Sequence, residues 1–367
     1  MAGAQSRRAK LKPIRRLGVA SLTVTKFRPL IVAAQILFVA GCTGGGQSSE
    51  LENYLERLAR PLGFDAPPVE MPKGLLPPRA ESLRISLPGS KLDGLDFLRL
   101  RGCALQQTIA RRNSSLGRVA PTSQRLLLEL AFLRDAPACI ETLRSDGRGE
   151  LAELIQETAI LKQSQLPALI FNATLGNREY RDFWRATAIP EDYPVNTSSL
   201  AITALEQITA DAMRWMSGDF QADELAFELA LSEVAKGDGG ELLAALSHQA
   251  AHLAAGDGLI VKSIAKGPLC TANTIGPAAP IVRTVVNKFF IQEIQARAAS
   301  INQRHYALIE PVSKLELLLA EVLPDDYERW RVYRGKTLAH GTQATKDHVA
   351  QLQALLGICY AEFATKA

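Results

Sequence analysis

Pro121-Thr122-Ser123-Gln124-Arg125-Leu126-Leu127-Leu128-Glu129-Leu130-Ala131-Phe132-Leu133 is the stretch whose reading decides the fold. Pro121 stands where a helix can begin, because the N–H that proline lacks has no partner in a first turn anyway. Leu126, Leu127, Leu130 and Leu133 recur at helical spacing. Leu128, Ala131 and Phe132 leave almost no polar face, and a helix apolar all round belongs inside a core. The pattern predicts a central helix that runs to Pro137, where the proline ring should end it.

Working outward, Leu92 to Arg112 carries Leu95, Leu98, Leu105 and Ile109 on one stripe and predicts a partner helix. Asn113 to Ala120 forms a polar connection between the two. Arg111, Arg112, Asn113, Arg118 and Arg125 gather around that turn. Guanidinium groups hold carboxylates and phosphates through paired, charge-assisted hydrogen bonds, so these residues are candidates for binding an anionic glycan, a lipid headgroup or a partner carboxylate. The plainer reading is a hairpin whose Asn, Ser and Gly satisfy the helix ends.

The rest of the chain repeats the helical pattern. Residues 138–185 read as shorter helices broken by Gly147, Gly149, Pro167 and Gly176. Helices are expected over Ser198 to Met216, Ala222 to Ala235 and Glu241 to Ala255. The clusters Gly237-Asp238-Gly239-Gly240 and Gly256-Asp257-Gly258 read as breaks, with neither the lysine of a phosphate loop nor dinucleotide spacing. An irregular stretch covers 264–280, followed by a helix from Val282 to about Tyr306 and another opened by Pro311. A short aromatic helix (Tyr327, Trp330, Tyr333) precedes the last one. Before all of these, Ser48-Ser49-Glu50 caps a helix bearing Leu51, Tyr54, Leu55 and Leu58. Residues 61–90 are proline-rich, with Leu83 to Leu87 as an isolated strand or an extended crossing. No repeat of fixed period occurs. The expected class is mostly α: an irregular multi-helix bundle with a Pro-rich arm, stabilised by disulfides. It would span 50–367, with roughly 50–217 and 218–367 as two candidate lobes.

The chain's address is written near its start. Lys26 and Arg28 precede an apolar run, Pro29 to Val39, which leads to Ala40-Gly41-Cys42. The run is shorter than the roughly 20 residues that a membrane span needs. Basic flank, apolar run and small residues in that order describe a secretory signal peptide. Here residues 1–41 would be removed, and the Cys42 thiol would carry a diacylglycerol. An amide-linked acyl chain such as palmitate would complete a stable anchor, since one chain alone holds weakly. Residues 42–49 then form a flexible tether. Thr43 takes the place where inner-membrane lipoproteins often have Asp, so the expected location is the periplasmic face of the outer membrane.

Losing residues 1–41 removes eight basic residues and no acid, which turns a net charge of +4 into −4. Nucleic-acid binding thereby loses its electrostatic support. The address also makes the other cysteines a disulfide question, because disulfides persist in oxidising compartments. Cys103, Cys139, Cys270 and Cys359 allow three pairings that spacing cannot separate. At about 1.5 Å per residue, Cys103 lies roughly 15 Å before the turn and Cys139 roughly 25 Å beyond it. The connection can absorb that mismatch, so a Cys103–Cys139 bond is expected across the hairpin. That leaves Cys270 for Cys359, which falls on the inward stripe of the last helix with Val349, Leu352, Leu356 and Phe363.

Catalytic patterns are thin. His248 and His252, at i and i+4 on a predicted helix, have the spacing of a zinc pair. The position after the first histidine, which would supply a general base, is Gln249, and no third ligand can be assigned. No G-x-S-x-G elbow occurs. No cofactor is implied.

Three stretches carry a family likeness: Tyr54-Leu55-Glu56-Arg57-Leu58-Ala59, the run from Leu105-Gln106-Gln107 to Asn113-Ser114-Ser115-Leu116-Gly117-Arg118-Val119-Ala120-Pro121, and Cys270 before a proline-containing loop. In these the sequence resembles an uncharacterised proteobacterial lipoprotein family classified as a domain of unknown function, family 3080. The resemblance covers nearly the whole chain after Cys42 and implies no reaction. The expectation is a non-enzymatic envelope lipoprotein, held to membrane lipid through Cys42, that binds an envelope protein or glycan or stabilises an assembly. The alternative is a periplasmic hydrolase or metalloenzyme using His248 and His252.

Overall fold

In a computed structural model of the chain, residues 49–74, 76–88, 100–186, 188–190 and 192–363 are described. The stretches expected to be a signal peptide and a tether, apart from Ser49, lie outside them, as do Cys42 and Leu92, Leu95 and Leu98 of the predicted partner helix. Ser48–Ala367 folds as one compact unit. It is mostly helical, as expected, and its one sheet among the described residues is a two-stranded ribbon.

Helix α1 (Glu50–Ala59) begins with a capping box: the Glu52 backbone N–H donates to Ser49 Oγ at 3.2 Å, and the Ser49 N–H donates to the Glu52 carboxylate at 2.9 Å. Leu51, Tyr54, Leu55 and Leu58 are buried, as their spacing predicts. The proline-rich arm that follows has one helical turn, Ala80–Leu83. Arg84 to Pro88 then runs as irregular chain, so the extended-crossing reading of this piece holds.

Helix α2 (Leu105–Asn113) is shorter than predicted, because Leu100 to Ala104 form a turn. Helix α3 (Thr122–Ser145) is longer than predicted and passes straight through Pro137. An interior proline costs about 3 kcal/mol in an isolated helix. Here Pro137 faces solvent, where water can satisfy the freed carbonyl, while Ala136, Cys139 and Leu143 beyond it are buried. The apolar girdle of α3 is explained by two cores. Leu126, Leu127, Leu130 and Leu133 enter the largest cluster, while Phe132, Ala136, Cys139 and Leu143 enter a smaller one with Leu105 and Ile109 of α2.

Helices α4 (Gly149–Ser164), α5 (Leu166–Ala173), α6 (Arg178–Phe183), α7 (Leu200–Met216) and α8 (Glu224–Ala235) follow. Helix α9 (Gly239–Lys266) runs through Gly256-Asp257-Gly258, which therefore do not break it. A hairpin of β1 (Cys270–Thr271) and β2 (Thr274–Ile275) turns the chain. One continuous helical rod comes next: α10 (Ala278–Val285), a π-helical stretch Val286–Gln295, and α11 (Ala296–Leu318). Pro311 lies inside α11 rather than opening a helix; it is buried, and its ring packs as core. The short aromatic helix and the last helix are likewise one, α12 (Asp325–Leu356).

Helices α9 and α12 are the spine. They run side by side in the same direction, with Leu246 on Gly341, Gln249 on Thr345 and Asp257 on His348. Gly341 is required there, since a Cβ would sit 2.5 Å from Leu246 Cβ. The N-terminal halves of both helices enter the largest cluster, which draws on residues on both sides of position 217; their C-terminal halves enter a second cluster with α1 and the π-helical stretch. Both expected cysteine pairs are formed, with Cα–Cα separations of 5.2 Å for Cys103–Cys139 and 5.3 Å for Cys270–Cys359. Cys359 lies just past the end of α12 rather than on it.

Candidate functional site

The predicted turn between α2 and α3 forms one wall of a cavity of about 500 Å³. Its shape depends on three local devices. The one-turn helix Ser115–Arg118 is capped by Ser114, whose Oγ accepts the Gly117 N–H at 3.0 Å. Gly117 lies directly on the end of α2, where a Cβ would come within 2.2 Å of the Arg111 carbonyl oxygen. From α3, Arg125 reaches back and donates to the carbonyls of Ala120 (3.2 Å) and Arg118 (2.9 Å), which closes the turn.

The Arg84–Pro88 segment also lines the cavity. Asn172 of α5 holds it as a neighbouring strand would: the Ile85 N–H donates to Asn172 Oδ1, and Asn172 Nδ2 donates to the Ile85 carbonyl, both at 2.9 Å. Gln165 adds a hydrogen bond to the Pro88 carbonyl at 3.0 Å. An amide side chain pairing with both polar groups of one residue fixes a segment that has no ladder of its own.

The floor is an ion triad. Glu129 of α3 is buried between Arg112, whose Nε lies 2.8 Å from Oε1, and the ammonium of Lys162 from α4. Lys162 is also 5.0 Å from the centroid of the Phe132 ring. Burial holds the Lys162 ammonium below its usual range, Glu129 pulls it back up, and Arg112 pushes it down. Two cations share one carboxylate here, so the floor keeps a positive excess.

Of the described residues lining the cavity, Arg84, Arg112, Arg118, Arg125 and Lys162 are cationic and Glu129 is the one acid. The side chains of Arg84 and Arg118 make no ion pair among the described residues and are exposed. The structure therefore brings Arg112, Asn113, Arg118 and Arg125 to one site. Arg111 is not among them: it turns away to Glu224 of α8 at 3.2 Å. Sequence reading missed Arg84, Glu129 and Lys162, which reach the site from other segments; only the odd Glu in the leucine run of α3 hinted at a buried charge.

His248 and His252 adjoin on α9, with ring centroids 4.2 Å apart. The His252 Nδ1–H donates to the His248 carbonyl at 2.9 Å. Among the described residues, no group of three side chains able to hold a metal forms. Gln249, standing where a metalloprotease would need its base, is buried and bonds the Thr345 hydroxyl at 3.0 Å and the Gly341 carbonyl at 3.3 Å. Its role is to join α9 to α12.

A family described as a protein of unknown function (DUF3080) matches residues 51–362. No curated protein and no solved structure matches the chain.

Proposed function

The chain belongs to that family of unknown function, and from this premise we propose that it is a lipid-anchored protein of the bacterial envelope. It works at the periplasmic face of the outer membrane, in a non-enzymatic binding role. The observation that carries the reading is the partition of five cysteines. Four of them form two disulfides, which suit an oxidising compartment. The fifth, Cys42, directly follows Ala40-Gly41 at the end of the apolar run, where lipidation requires a thiol. The cation-rich cavity supports the binding role, since it offers groups that recognise an anion.

Replacing Cys42 by Ser tests the anchor. Labelling with a palmitate analogue should disappear, and the protein should move from the membrane pellet to the soluble fraction. A variant that still took up label and stayed in the membrane would refute the proposal. The alternative, a hydrolase or metalloenzyme built on His248 and His252, rests on the adjoining rings alone. Stoichiometric metal in the purified chain, lost in His248→Ala, would establish it instead.

A further inference from the structure

We propose that the cavity between the Arg112–Arg125 turn and the Arg84–Pro88 segment binds a phosphate monoester attached to a partly apolar body. The inference gives a ligand chemistry to the binding role proposed above. Four observations carry it.

The first is size. A cavity of about 500 Å³ lies within the range of small-ligand sites, roughly 300–1,000 Å³. The second is charge: among the described residues, five cations against one carboxylate exceed what a single carboxylate ligand would neutralise and suit a doubly charged anion.

The third is the division of labour among the cations. Arg112 and Lys162 already hold Glu129, and Arg125 is spent on backbone carbonyls. Arg84 and Arg118, which line the cavity from two separate segments, have their guanidinium groups uncommitted among the described residues. Planar guanidinium forks recognise phosphate oxygens in pairs. A phosphoryl group in the cavity would take Arg84 from one segment and Arg118 from the other, beside the positive excess of the Arg112–Glu129–Lys162 triad.

The fourth is the apolar surface next to these charges. Ile85, Leu87, Leu128, Leu161 and Leu169 line the cavity. On the turn itself Leu116 and Val119 are 80 % and 78 % exposed and flank Gly117-Arg118. Large apolar side chains so exposed beside arginines fit a ligand with an apolar part next to its charged head.

A phospholipid headgroup and a soluble phosphorylated molecule share this chemistry, and the experiment separates them. The full-length chain, purified in a phosphate-free non-ionic detergent, is titrated calorimetrically with dioctanoyl phosphatidic acid, dioctanoyl phosphatidylcholine, glycerol 3-phosphate and sodium acetate. Saturable one-site binding is expected for phosphatidic acid, at least about tenfold tighter than for phosphatidylcholine or acetate. Losing one charge-assisted contact typically costs a factor of ten or more, so Arg84→Gln and Arg118→Gln should each weaken binding about tenfold. Arg111→Gln, which lies outside the cavity, should leave it unchanged. A clear preference for phosphatidic acid would assign a lipid; glycerol 3-phosphate binding as tightly would assign a soluble phosphorylated ligand and overturn the apolar body.

The proposal falls if neither phosphate monoester binds saturably, or if acetate binds as tightly as they do. It falls equally if the Arg84→Gln/Arg118→Gln double variant binds like the parent. Both arginines are exposed and make no ion pair among the described residues, so these variants should keep the parent melting temperature, which is checked alongside. The titration does not involve the lipid at Cys42. Its failure would leave the anchor reading standing, and a failed anchor test would leave the titration valid.

Discussion

Tyr54, His348 and Asp257 show how single residues hold the second core together. The Tyr54 hydroxyl lies 2.7 Å from His348 Nε2, and His348 Nδ1 lies 2.6 Å from the Asp257 carboxylate. Burial first, then the Asp257 charge, pushes the Tyr54 phenol far above its usual range, so it keeps its proton and donates. An ionised carboxylate only accepts, so Nδ1 carries a proton toward Asp257, and in the neutral ring Nε2 is left to accept from the Tyr54 hydroxyl. The chain links α1, α12 and α9, and no sequence pattern announces it, because its bonded members lie 91 and 294 residues apart. His248 behaves differently. Burial, and then the neighbouring His252, depress its pKa to about 4; Glu52 opposes this and Arg297 adds to it. Between its ordinary 6.5 and about 4, the unfolded chain binds a proton that the folded chain refuses. Stability is therefore fully present above pH 6.5 and declines as pH falls through that window. His248→Gln removes the group, so the loss of melting temperature between pH 7 and pH 5 should be smaller in the variant. Parallel curves for the two proteins would show that His248 titrates normally in the fold.

At the scale of elements, Gly117 is where the site is most sensitive. A Cβ there would meet the Arg111 and Arg112 carbonyl oxygens at 2.2 Å and 2.5 Å, and backbone atoms cannot swing aside as side chains do. Gly117→Ala should displace the Ser115–Arg118 turn at a cost of about 1–3 kcal/mol, the range for overpacking. Because this turn is exposed, the loss should be modest in a urea melt and larger in phosphate binding, through the displaced Arg118. Unchanged affinity would mean that Arg118 does not depend on the turn's geometry. Elements also show how far the sequence could be read. The leucine run of α3 announced a central helix, and the paired cysteines were placed correctly. Pro137, Pro311 and the Gly256-Asp257-Gly258 cluster misled, for one physical reason: local propensity gives way when the residues beyond a breaker are deeply buried. Leu143 beyond Pro137, Val312 and Leu315 beyond Pro311, and Leu259 and Ile260 beyond Gly258 all reach the cores. The candidate site was half legible. Its arginine-rich wall is continuous in sequence, whereas Arg84, Glu129 and Lys162 come together only by folding.

The two disulfides act on the whole molecule, and they differ in what they close. Cys103–Cys139 spans a sequence separation of 36 and lies within the small cluster that α2 and α3 share. Cys270–Cys359 spans 89 and ties the β1–β2 hairpin to the chain just past α12, so the rod α10–α11 and the spine helix α12 both lie inside its loop. A native disulfide contributes about 2–5 kcal/mol, and the chain-entropy argument makes the longer loop worth more by about 0.8 kcal/mol. The order of stability is then set by topology rather than by the local surroundings of each sulfur. Cys270→Ala/Cys359→Ala should lower the urea midpoint more than Cys103→Ala/Cys139→Ala, each read by far-UV circular dichroism on the oxidised chain. The opposite order would locate the main effect in native packing, because Cys103 and Cys139 are both buried in a cluster that has few other members. In that case the hairpin beneath the cation-rich cavity, rather than the long loop through the spine, would be the part of the molecule that most needs its covalent tie.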